Sequence, residues 1–88
     1  MAGMRGMDIE EVRMLGQRLT ASGSEIGTVI ALVSGSLQAT SWIGPDANRI
    51  REEWARHRTA LAEATKFLVA AAELANRNAD AQEVLSRP

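Results

Sequence analysis

Eighty-eight residues give room for one small domain, close to the size at which a single-chain core becomes marginal. Hydrophobic residues make up 45% of the chain, so the question is where so short a chain buries them. Ten basic and eleven acidic residues leave a formal net charge of −1, which is no footprint for nucleic acid or for an anionic membrane surface. Cys is absent, and this excludes disulfides, thiolate zinc sites and a cysteine nucleophile.

Residues 1–7 contain Gly3, Gly6 and a single Arg, and read as a flexible arm with no apolar segment of a secretory signal. Asp8 follows as a candidate N-cap, with Glu11 three residues on in an Asp-x-x-Glu capping box. Met7 and Val12 stand at the two positions of a hydrophobic staple. A helix is therefore predicted over about 8–41. Its apolar positions step by three and four through Val12, Leu15, Leu19, Ser22, Ile26, Val29, Val33, Ser36 and Thr40. Gly23, Ile30 and Leu37 form a second stripe beside that seam. Gly16, Gly23, Gly27 and Gly35 are costly inside a helix, at roughly 1 kcal/mol each relative to Ala. They either admit a close neighbour or loosen the helix.

The stretch Ser41-Trp42-Ile43-Gly44-Pro45-Asp46 breaks the pattern. Gly44 accepts turn conformations that other residues avoid, Pro45 suits the first position of a helix, and Asp46 suits its positive end. A second helix is predicted over about 45–85, with a seam of Ala47, Ile50, Trp54, His57, Leu61, Ala64, Leu68, Ala71, Ala75, Asn78, Gln82 and Leu85. Arg49 with Glu53, and Glu52 with Arg56, have i,i+4 spacing for outer-face ion pairs. Around 67–75 the apolar surface widens to take in Phe67, Val69, Ala70 and Leu74. Beyond Asn76 the chain turns polar, so most of the seam precedes it, and 86–88 reads as a frayed end.

The expected fold class is all-α: an antiparallel two-helix hairpin that pairs as a dimer into a four-helix bundle. Helices of about 33 and 40 residues are rods of roughly 50 and 60 Å, and a lone pair leaves a flank of each apolar stripe wet. A second hairpin across Ile30, Leu37, Phe67, Leu68, Ala71 and Leu74 closes the core most simply. The longest strictly apolar run, 67–72, falls well short of the ~20 residues of a membrane helix, so no membrane insertion is expected.

The Trp42-Ile43-Gly44 turn, set between two capped heptad helices in a chain of this length, resembles the WXG family, the early-secreted-antigen-like (Esx-type) substrates of type VII secretion. The longer stretch 41–47 and Arg51-Glu52-Glu53-Trp54 look like the actinobacterial branch of that family. The resemblance implies a small helical protein exported as a folded dimer, or serving as partner or adaptor for a larger effector. It implies export without a cleavable signal peptide, from the cytoplasm through the type VII machinery, either as a homodimer or beside a paired WXG-type protein. The family also carries a Tyr-x-x-x-Asp/Glu signal near its C-terminus. This chain has no Tyr, and the nearest spacing is Ala79 with Glu83. A partner then supplies the signal, or recognition uses Ala79, Glu83 and their neighbours without the aromatic. Independently of the family, the Trp42 indole at a helix–helix corner is expected to plug the open end of the hairpin, where Gly44 and Pro45 reverse the chain.

No enzyme, cofactor or metal is expected. The single His57, on the predicted seam, cannot assemble the three or four ligands of a zinc site without Cys. Glycines inside a helical pattern do not form a phosphate loop. Arg49, Arg51, Arg56 and Arg58 interleave with Glu52 and Glu53 and read as a solvated outer face. The alternatives are an intracellular coiled-coil adaptor and a small helical enzyme of chorismate mutase type. The latter needs cations pointing between helices, and the four arginines and Lys66 all avoid the predicted seam.

Overall fold

The structure, a computed structural model, describes residues 7–86. It consists of two antiparallel helices joined by residues 40–44: α1, Ile9–Ala39, and α2, Pro45–Ser86. No strand occurs among the described residues, so the all-α hairpin is the fold. Ser86 is the last residue of α2, while 1–6 of the expected arm and 87–88 of the expected frayed end lie outside the described residues. The start of α1 follows its capping signal. Asp8 has extended backbone angles, its Oδ1 accepts a hydrogen bond from the Glu11 amide at 3.1 Å, and its carbonyl accepts one from the Val12 amide at 3.0 Å. Met7 and Val12 are both half-buried.

The molecule measures 67 × 18 × 13 Å, and its radius of gyration is 19.7 Å, where a compact domain of this length has about 12 Å. The short dimension is close to one helix diameter. A single layer of two helices has a seam but no interior, and the burial shows it. Among the described residues the buried ones are Gly16 and Gly23 on α1 and Ala47, Ala72 and Ala79 on α2, all of them small. Gly16 lies against Asn76, whose Oδ1 would stand 2.6 Å from a Cβ added there, and Gly23 lies against Thr65 and Leu68. Of the two roles open to the helical glycines, close approach holds at these positions. Gly27 and Gly35 face open space.

These contacts correct the predicted seam. On α1 one column is right: Val12, Leu19, Ile26 and Val33 are half-buried. The column beside it is Ile9, Gly16, Gly23, Ile30 and Leu37, whereas the expected Leu15 and Val29 are about half exposed. On α2 the column Ala47, Trp54, Leu61, Leu68, Ala75 and Gln82 is right. Its companion is Arg51, Arg58, Thr65, Ala72 and Ala79, one residue beyond the expected Ile50, His57, Ala64, Ala71 and Asn78. Glycine, threonine and arginine carry no apolar signal, so the hydrophobic stripe of each helix tracks a different face from the one the helices share. Ile30 and Leu37 are half-buried in the column that faces α2 within the hairpin. His57 leaves the seam and is exposed, Arg51 enters it, and Arg58 stands exposed at its edge. Arg49 pairs with Asp46 at 3.1 Å in place of Glu53.

The polar end of α2, which follows most of the predicted seam, is packed into the hairpin. Ala79 is fully buried, and Arg13 of α1 reaches Asp80 at 2.8 Å and Glu83 at 2.6 Å. Truncation after Ala75 is expected to lower the urea unfolding midpoint clearly, because it removes a buried seam position and both anionic partners of Arg13. An unchanged midpoint would show that residues beyond 75 add nothing to the fold.

Candidate interaction surface

The turn end of the hairpin is organised by Arg51. Helix α1 has no basic residue in its last turn, and its final carbonyls need donors from elsewhere. The Arg51 guanidinium supplies them from α2, donating to the carbonyls of Trp42 at 2.9 Å, Leu37 at 3.2 Å and Thr40 at 3.1 Å. A planar fork of five N–H donors suits this task, and its positive charge sits at the negative end of the α1 dipole. Gly44 has φ +128°, and its carbonyl accepts from the Asn48 amide at 3.0 Å, so it caps α2 with Pro45 in the first helical position. Gly44→Val is expected to cost about 1–3 kcal/mol because that φ is unfavourable for any side chain. Pro45→Ala should stay within about 0.5 kcal/mol. Equilibrium unfolding of the two variants checks this order, and equal midpoints would refute it.

With Arg51 closing the corner, the indole of Trp42 is not its plug. Trp42 is 44% exposed, and Ile43 beside it is 94% exposed. No periodicity argument could have found the Arg51 clamp, because it serves carbonyls outside the heptad pattern. Trp54 is half-buried as expected, and its Nε1–H donates to Ser34 Oγ at 3.0 Å across the seam.

The larger feature is a mainly apolar face on one side of the hairpin, interrupted by Ser22, Ser36, His57 and Asn78. At roughly 100° per residue, the columns the helices share are centred roughly 60° from the columns that carry the apolar signal. In an antiparallel pair, the columns one residue before the shared ones lie on the same side of both helices. On α1 they present Leu15, Ser22, Val29 and Ser36, with Leu32 just outside; on α2 they present Ile50, His57, Ala64, Ala71, Asn78 and Leu85, with Phe67 and Leu74 just outside. Phe67 is 68% exposed, Leu32 66% and Leu74 54%, while Leu68 and Ala71 are half-buried at the inner edge. A shallow groove lined by Ser22, Ile26, Val29 and Leu61 runs along this face, with Glu25 at its edge. The opposite side carries Arg13, Thr20, Gly27 and Ser34 of α1 and Ala55, Ala62, Val69, Asn76 and Glu83 of α2, so its one large exposed apolar residue in these columns is Val69.

Of the six residues expected at a dimer interface, Phe67, Leu68, Ala71 and Leu74 share this apolar face, and Ile30 and Leu37 do not. Ala79 and Glu83 are not presented together. Ala79 is shut between the helices, and Glu83 is tied to Arg13, whose pKa is raised first by the Asp80 hydrogen bond, against a lowering by desolvation, and further by the one to Glu83. Contrary to the expectation that the arginines avoid the seam, Arg51 lies on it, engaged with three carbonyls, and Arg58 stands exposed at its edge. Among the described residues no cluster of His, Asp or Glu could hold a metal ion, and no helix is long and apolar enough to cross a membrane. No known protein family matches the chain, and comparison with curated proteins and with solved structures finds no similar member of either.

Proposed function

We propose that this protein is a non-catalytic helical association module of type VII secretion, which pairs through its apolar face with a second hairpin into a four-helix bundle. One observation carries the pairing: both helices turn their apolar stripes to the same side of a layer only 13 Å thick, leaving Phe67, Leu32 and Leu74 more than half exposed. In a square bundle each helix points toward the bundle axis about 45° away from its direction to a neighbour. The roughly 60° offset of the apolar stripe from the shared seam matches that geometry and suits no isolated hairpin. The second hairpin is another copy or a similar WXG-type chain.

The secretion role rests on the resemblance of Trp42-Ile43-Gly44 and its flanking helices to the WXG family, and the exposed Trp42 and Ile43 tip supports a docking role for that turn. Export then occurs as a folded dimer, without a cleaved signal peptide, or in company with a larger effector. With Ala79 enclosed and no Tyr in the chain, the partner's tail supplies the aromatic part of the signal. Expression together with the neighbouring genes, followed by comparison of cell pellet and culture medium, tests this. The intact protein is expected in the medium, and retention in the pellet under those conditions favours an intracellular adaptor.

A further inference from the structure

On the side of the hairpin opposite the apolar face, near the turn, lies an open cleft of about 450 Å³ lined by Ser34, Leu37 and Gln38 of α1 and Arg51, Trp54 and Arg58 of α2. We propose that this cleft binds a carboxylate side chain of an acidic protein segment, with Arg58 as its principal ligand.

The case begins with a local imbalance of charge. The chain as a whole carries −1, yet the cleft holds two guanidinium groups and no acid. Arg13 holds Asp80 and Glu83, Arg49 holds Asp46, and Lys66 holds Glu63, whereas Arg58 shares with Arg18, Arg56 and Arg77 the lack of an ion pair among the described residues, and of these four it alone lines the cleft. Arg58 has no acid within reach along its own helix, because the residues three and four away on either side are Ala55, Trp54, Leu61 and Ala62. The α1 residues at that level on the same side are Gly27, Ala31, Ser34 and Gln38, none of them acidic. Among the described residues no carboxylate pairs with this exposed guanidinium.

The remaining polar atoms of the cleft are biased toward donation. Trp54 Nε1–H donates to Ser34 Oγ at 3.0 Å, and this occupies a lone pair and leaves the hydroxyl hydrogen free to point outward. Arg51 spends two nitrogens on backbone carbonyls and still adds its charge. Gln38 contributes an amide at the rim. The cleft holds cationic donors and no anionic acceptor, its only side-chain acceptors being the neutral oxygens of Ser34 and Gln38, and the planar fork of Arg58 matches a carboxylate bidentately. The apolar walls decide the source. Leu37 and the Trp54 ring suit the methylene stem of a Glu or Asp side chain, and the small Gly27, Ala31, Ala55 and Ala62 leave room for the backbone that carries it. A phosphate dianion asks for more free charge than one guanidinium supplies. The cleft stands apart from the apolar face, so this inference does not depend on pairing.

The test is an NMR titration of the full chain at fixed ionic strength, following Trp54 Nε1–H and Arg58 Nε–H. The probes are a capped peptide with one central Glu among Ala residues, its Gln counterpart, and inorganic phosphate. The expected result is a saturable shift of both signals with the Glu peptide, weakened about tenfold or more for the Gln peptide and for Arg58→Gln. Arg58→Gln should keep the parent's circular dichroism, unfolding midpoint and sedimentation behaviour, because Arg58 is exposed and caps nothing. No saturable shift, equal binding by Arg58→Gln, or tighter binding of phosphate than of the Glu peptide would each overturn the proposal.

Discussion

Replacing Arg51 with leucine is expected to destabilise the protein by about 2–3 kcal/mol, more than any change at Trp42. The reason is that one side chain closes three carbonyls at the end of α1, at 2.9, 3.2 and 3.1 Å, where the helix has no cation of its own. Leucine keeps part of the packing of the arginine stem and loses every one of these bonds. Lysine in the same place should recover part of the loss, since it restores charge at the helix end but cannot span the carbonyls with a planar fork. Trp42→Ala should cost well under the roughly 3–5 kcal/mol of a buried aromatic truncation, because the indole is nearly half exposed. Urea unfolding of the three variants gives the ranking. If Arg51→Leu unfolds with the parent while Trp42→Ala collapses, the corner is held by the indole after all.

The second large effect is on association. Phe67 and Val69 are both exposed apolar residues of α2, at 68% and 46%, but two residues on a helix point to nearly opposite sides. Phe67 borders the apolar face, and Val69 lies on the side of Asn76 and Glu83. Phe67→Glu should weaken pairing by about a hundredfold or more, combining the roughly 1.5–3 kcal/mol of a buried Phe with the burial of an unpaired carboxylate. Val69→Glu should leave it within about threefold. Analytical ultracentrifugation over a dilution series reads both. Equal effects of the two substitutions would mean that the apolar face has no special part in assembly.

The hairpin itself is legible in the sequence because its punctuation is local. Asp8 with Glu11, and Gly44 with Pro45, mark a helix start and a reversal through bonds made within four residues, and the structure uses them so. The rotation of each helix is not local, and there the apolar pattern points to the wrong column. Gly16 and Gly23 form the seam by having no side chain, and Arg51 enters it because its long stem can reach carbonyls across the gap. A stripe of Leu15, Ser22 and Val29 reads as the seam of a hairpin when its geometry fits the axis of a larger bundle. The same displacement explains why Phe67, Leu68, Ala71 and Leu74 share one exposed side while Ile30 and Leu37 turn inward. The contribution of 79–83 was hidden for a related reason: Ala79 is buried by position, and Arg13 finds its acids 67 and 70 residues away in the chain.

Sedimentation equilibrium of the purified full-length chain, with circular dichroism on the same samples, tests the pairing of hairpins most directly. A cooperative helical species is expected at micromolar concentration with close to twice the 9.5 kDa chain mass, or the same assembly in one-to-one company with a second WXG-type chain. A stable, cooperatively unfolding monomer of 9.5 kDa would contradict it, because the exposed apolar face would then need no second hairpin to cover it.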